Sequence, residues 1–172
     1  MENNWQPIRG LVSELKQCDE QNITTASLAM SFICIDTLAS LGRPADKNKV
    51  TRSDFKDWVN TYLDAHQDQP YKYRGKDVYA ARCAFLHTYG SKADLHDQDT
   101  DTIKFAYHDG GKHEYKPEID KSLVLIGVKS FVNDVVLAVE SFLKHCSDDS
   151  ELRNRVQERL LHVLNTVPFP SQ

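Results

Sequence analysis

Between Asn22 and Gly42 only Asp36 is formally charged, and a helix built from this stretch is apolar around most of its circumference. Such a helix has to be buried on most of its sides, so the remaining chain must wrap it. Ile23 to Leu41 also approaches the roughly 20 residues that span a bilayer. Asp36 and the six Ser/Thr residues of that span make it too polar for lipid, and the centre of a helical bundle accommodates it at lower cost. The requirement points to an all-α chain with no membrane partner.

The flanking segments supply the wrapping. Pro7 suits an opening helical turn, and Ile8, Leu11, Val12, Leu15 and Cys18 form one apolar stripe behind it. The central helix is expected to stop at Gly42, with Pro44 just beyond. Thr51 reads as an N-cap with Asp54 at the third helical position, and Phe55, Trp58, Val59, Tyr62 and Leu63 repeat at i, i+3, i+4, i+7, i+8. A fourth helix runs over roughly 76–89 and is expected to end at Gly90. A long helix is expected over about 119–145, carrying Leu125, Val128, Val132, Val135, Val139 and Phe142 in steps of three and four. Residues 148–150 can cap a last helix bearing Leu152, Val156, Leu160 and Val163, before "VPFPSQ" ends in an extended tail.

One segment breaks the pattern. "IKFAYHDGGKHEY" alternates around an Asp-Gly-Gly turn, which signals a short β-hairpin inserted over about 102–116. With no repeat and no domain linker, the expectation is one domain over 1–172: an all-α helical bundle of about five to six helices decorated by that hairpin.

The 172 residues are 40% apolar and 27% charged, enough for one hydrophobic core. Twenty-one Lys+Arg against 25 Asp+Glu leave a net charge of -4, so any polyanion must be met by a local patch and not by a global field. Cys18, Cys34, Cys83 and Cys146 are scattered without a CxxC pair, and "MENNWQPIRG" carries no secretory signal; reduced thiols and a cytoplasmic location follow as expectations.

Chemistry concentrates in the fourth helix. "YAARCAFLHTYG" holds Arg82 and His87 in the pattern R-x4-H. At about 100° per residue the two lie roughly 140° apart around a regular helix, so spacing alone does not put them on one face. They converge if the arginine curls back, if the helix bends, or if a second copy supplies one of them. Arg82 sits among Val78, Tyr79, Ala81, Phe85 and Leu86 and therefore needs an anionic or carbonyl partner; Asp36, the other isolated charge on a core helix, is the best candidate. Two readings stand: a structural network of Asp36, Arg82 and His87 in a non-catalytic interaction module, or a site.

Together with "SFICIDTLASLG", this segment resembles the HEPN superfamily of small helical bundles, whose hallmark is R-x4-6-H on a bundle helix. The resemblance covers about 23–145 in helix order and rests at residue level on Arg82, His87 and, more loosely, Asp36. It implies a metal-independent endoribonuclease or RNA-binding protein with no cofactor, acting as a homodimer, in a toxin, stress or phage-defence setting with an antitoxin-like protein partner. His87 would take the proton of a ribose 2′-hydroxyl or return one to the leaving 5′-oxygen. Arg82 would hold the scissile phosphate through its planar fork of donors, with Asp36 and Tyr79 in supporting positions. Cys83 stands where the family often carries a polar Asn, Asp or His, and a Cys83–His87 pair at i, i+4 leaves a thiol nucleophile as an alternative.

Three further features carry expectations. In "YKYRGK" the residues Lys72, Tyr73 and Arg74 interleave an aromatic with cations, a strip able to stack bases and pair phosphates, or simply a solvated loop. Arg153, Arg155 and Arg159 form a basic outer face on the last helix, with Glu151 and Glu158 as local partners. His108, Asp109 and His113 flank the hairpin turn, but a third ligand at sensible spacing is missing and no metal is expected.

Overall fold

The structure is a computed structural model describing residues 5–163; the expected extended tail "VPFPSQ" lies outside the described residues. The long helices are α1 (Gln6–Glu20), α2 (Thr24–Gly42), α3 (Arg52–Tyr62), α4 (Gly75–Thr88), α7 (Val128–Asp148) and α8 (Ser150–Leu160). Two four-residue helices, α5 (Leu95–Gln98) and α6 (Pro117–Asp120), and two strands, β1 (Lys104–His108) and β2 (Leu123–Gly127), complete the described residues.

α2 occupies the centre, with α1, α3, α7 and α8 packed around it. By length and composition alone it could cross a membrane, a test that the core helix of a bundle also passes. Phe32, Cys34, Ile35 and Leu38 are sealed, and the buried hydroxyls of Ser27 and Ser31 are satisfied inside the helix by the carbonyls of Ile23 (3.1 Å) and Ser27 (2.8 Å). Phe32 meets Phe85 of α4 and Phe131 of α7 with ring centroids at 5.8 and 5.6 Å, which ties the site-bearing helix to the core.

Local signals set the ends of several helices. Thr51 caps α3 through a reciprocal box, its backbone N–H donating to Asp54 Oδ2 at 2.7 Å and its side chain accepting from the Asp54 N–H. Asp149 caps α8 by accepting from the N–H groups of Glu151 and Leu152. Glycine does not end α2 or α4 in the expected way. The left-handed residue after α4 is Tyr89, at φ 52°, and not Gly90; its ring leans on Phe85 at 5.4 Å and its hydroxyl meets Thr25 Oγ1 at 2.9 Å. Gly42 has no positive φ, and its missing side chain instead leaves room for the ring of Phe142, 3.0 Å from where a Cβ would stand.

The expected hairpin is not formed. β1 pairs with β2, in parallel, in the register Lys104↔Leu123 to His108↔Gly127, so the sheet is closed by a crossover and not by a tight turn. Asp109-Gly110-Gly111 does turn, with the Gly110 N–H bonded to His108 Nδ1 at 3.1 Å. The returning limb, however, makes only one antiparallel bridge, Glu114 to Leu125, on β2. "KHEY" offers β1 little apolar surface, whereas Val124 and Ile126 of β2 are fully buried; burial decides the partner. The same strand takes the front of the helix expected over 119–145, and α7 starts only at Val128. The architecture is therefore helical with a two-stranded parallel sheet, and not a pure bundle.

Candidate functional site

α2 and α4 bring Asp36, Arg82 and His87 together. Arg82 donates from Nε and Nη2 to Asp36 Oδ2, both at 2.8 Å, and its Nη1 stands 3.2 Å from His87 Nε2. The arginine thus spans the five-residue offset by reaching towards the end of its own helix, within one chain. Asp36 and Arg82 are half-buried and His87 is exposed. Burial raises the Asp36 carboxyl above its ordinary pKa, while the hydrogen bond and charge of Arg82 oppose the shift. With Nε2 facing a guanidinium, which only donates, that nitrogen presents its lone pair.

Asp36 and His87 line two different open recesses. Asp36 lines a groove of about 700 Å³ that α1, α2 and the end of α8 enclose, with Ile33, Thr37 and Ser40 on the same wall. His87 lines a smaller recess of about 280 Å³, together with Tyr79, Cys83, Leu95 and Gln98. Tyr79 packs edge-on against Phe55 at 5.2 Å. Burial and the neighbouring Cys83 raise its hydroxyl pKa. Cys83 lies beside both Tyr79 and Arg82, and no hydrogen bond joins it to His87 among the described residues.

The loop before α4 does not offer the strip expected of Lys72, Tyr73 and Arg74. Tyr73 is buried, donating to Asp134 Oδ2 at 2.9 Å and meeting His113 Nε2 at 2.7 Å. Arg74 forks onto the fully buried Asp77 at 2.6 and 3.0 Å and reaches Asp101 at 3.0 Å, and Lys72 Nζ is bonded to the carbonyls of Ala65 and His66. The alternation of aromatics and cations marks a loop nailed into the core at every second residue, because Tyr71 and Tyr73 point inward. The arginines of α8 are likewise occupied: Arg159 donates to the carbonyls of Leu41 (2.9 Å) and Pro44 (3.0 Å), Arg155 to Gly42, and Arg153 to Ser147. Arg155 and Arg159 meet the carbonyl end of α2 and Arg153 that of α7, favourable places for cations, more than they form an outer face with Glu151 and Glu158.

His113 is not placed as a ligand. Its Nδ1 accepts from the Gly127 N–H at 3.1 Å and its Nε2 serves Tyr73, so both nitrogens work inside the protein. The chain His113, Tyr73, Asp134 is a buried polar relay that the sequence reading missed; the only signal for it was Asp134, a charge beside Val132, Val135 and Val136 on the long helix. The recess beside His87 was missed as well, since half of its wall comes from Arg52 and from Lys92 to Gln98, segments with no periodicity linking them to α4. Compared with protein-family models, with curated proteins and with solved structures, the chain finds no match.

Proposed function

We propose that this chain is a HEPN-like, metal-independent endoribonuclease whose working groups are His87 and Arg82. The observation that carries the reading is the solvent-open imidazole held 3.2 Å from a guanidinium that is itself anchored to Asp36. When a phosphodiester arrives, Nε and Nη2 of Arg82 stay on Asp36 while Nη1 transfers from His87 to a phosphate oxygen. His87 Nε2, released, takes the proton of the adjacent ribose 2′-hydroxyl. The 2′-oxygen then bonds to phosphorus, the bond to the 5′-oxygen breaks, and the products are a 2′,3′-cyclic phosphate and a 5′-hydroxyl. Arg82 stabilises the additional negative charge on the phosphoryl oxygens.

The leaving oxygen needs a proton from the opposite side, and one chain supplies one imidazole here. A homodimer with two facing copies provides both, and a reduced, cytoplasmic setting completes the reading. His87→Ala is expected to lower RNA cleavage by about 10²- to 10⁴-fold. Its unfolding midpoint should hold, since a substitution at an exposed residue changes stability by only about 0.5 kcal/mol. Equal cleavage by the variant would end the proposal. A second reading draws on the fact that three Arg82 donors are engaged internally: a non-catalytic interaction module, in which the variant loses stability and no RNA is cut by either protein.

A further inference from the structure

The recess that His87 lines and Asp36 does not has no part in proton transfer, yet His87 forms one of its walls. At about 280 Å³ it falls just below the roughly 300 to 1,000 Å³ of drug-sized ligand sites, and fits a single nucleotide better than any folded element. Its lining combines apolar surface from Ala84 and Leu95, the half-buried ring of Tyr79, and the amide of Gln98, whose donors and acceptor suit the edge of a base.

Charge is what marks this recess: its lining carries Arg52 and Lys92 against the single carboxylate of Asp94. Arg52, at its rim, makes no hydrogen bond or ion pair among the described residues. Lys49 and Lys144 are also unpaired among the described residues, so what singles out Arg52 is its place in the lining of the recess. Lys92, the other cation of the recess, is paired with Asp97 at 2.8 Å. An uncommitted guanidinium on a chain of net charge -4, beside a nucleotide-sized hollow and a histidine already paired with a second guanidinium, is a place for a phosphate.

We infer that this recess is the subsite for one nucleotide of single-stranded RNA flanking the cleaved bond: the base sits against Leu95, Ala84 and Tyr79, Gln98 meets its edge, and Arg52 holds its outer phosphate. The inference rests on the ribonuclease reading above and assigns it a determinant of base preference.

The test uses the full chain and three variants: Arg52→Ala, Leu95→Trp and, for binding without cleavage, His87→Ala. Nucleoside 3′-monophosphates, which offer no bond to cut, titrated into the wild-type protein should shift amide resonances from 83 to 98. Arg52→Ala should weaken oligonucleotide binding roughly 5- to 100-fold and lower the salt dependence by about 0.7 of a charge. Leu95→Trp, which fills the hollow, should flatten the distribution of bases next to the cut sites. If the wild type cuts RNA while both variants keep its affinity and base distribution, the subsite is wrong and the ribonuclease reading stands. If the wild type neither binds nor cuts RNA, the reading of Arg82 and His87 falls and takes the subsite with it. Arg52 is exposed, so its variant carries the test even where the tryptophan protein does not fold.

Discussion

At the scale of single residues, charge and protonation decide what the candidate site and the buried relay can do. Asp36→Asn keeps the shape of the side chain but removes the charge that anchors Arg82 by two donors. On the proposed ribonuclease reading, loss of that anchor is expected to lower kcat/KM for RNA cleavage by about 10- to 100-fold with an unchanged fold by circular dichroism, since small misplacements cost on that order. The relay makes a prediction about pH. Burial pushes His113 down to about 4 and Asp134 up to about 6. Between pH 6.5 and 4 the unfolded chain therefore binds a proton at His113 that the native protein refuses, and stability from this group is lost as pH falls. Over nearly the same window the native protein holds a proton at Asp134 that the unfolded chain releases, and stability from that group is lost as pH rises. The two slopes oppose each other. Asp134→Asn removes one of them, so its stability should drop steeply from pH 6.5 to 4, by up to about 3 kcal/mol more than the wild type's; parallel urea titrations of both proteins against pH check it, and equal slopes would show that Asp134 does not hold its proton as its burial implies.

Among elements, the close pairing of α3 with α4 depends on Gly75. A Cβ there would stand 2.4 Å from the carbonyl oxygen of Lys56, and the Gly75 N–H donates to Asn60 Oδ1 at 2.7 Å. Gly75→Ala forces the two helices apart and is expected to destabilise by about 1–3 kcal/mol, read as a lower urea midpoint at constant slope. Because α4 carries Arg82 and His87, the same variant should also weaken RNA cleavage. At this scale much was legible. α3 and α8 begin at the caps that local residues specify, Thr51 and Asp149, and α4, expected over roughly 76–89, runs over Gly75–Thr88, while α8 stops at Leu160, short of the Val163 that its stripe reached. The segment 104–127 was not legible, because a strand's partner is a long-range matter. Leu123 to Ile126 is a continuous apolar run that periodicity assigns neither to helix nor to strand, and the buried place beside β1 decided for strand.

The molecule as a whole is held by a core in which α2, α4 and α7 share aromatic contacts. Phe131 is fully buried between Phe32 and Tyr73, with centroids at 5.6 Å to each. Phe131→Ala should cost about 3–5 kcal/mol, a large share of the 5–15 kcal/mol typical of a domain. A melting temperature reduced in one cooperative transition, monitored by both near- and far-UV circular dichroism, is the expected result; two separate transitions would mean that the sheet and the helices unfold independently.

What the sequence determined by itself is local or compositional: a central apolar helix with one charge, the helices that wrap it, and an arginine that needs an acid, since a lone charge on an apolar face must find its opposite. What only the tertiary structure decided is who meets whom. Side chains five residues apart on α4 converge because the arginine, pinned by Asp36 of another helix, lies along the helix towards His87, and the aromatic–cationic loop turns its tyrosines into the core and not towards solvent. Contacts between segments distant in the chain are chosen by competing burials and ion pairs, and no local periodicity contains that choice.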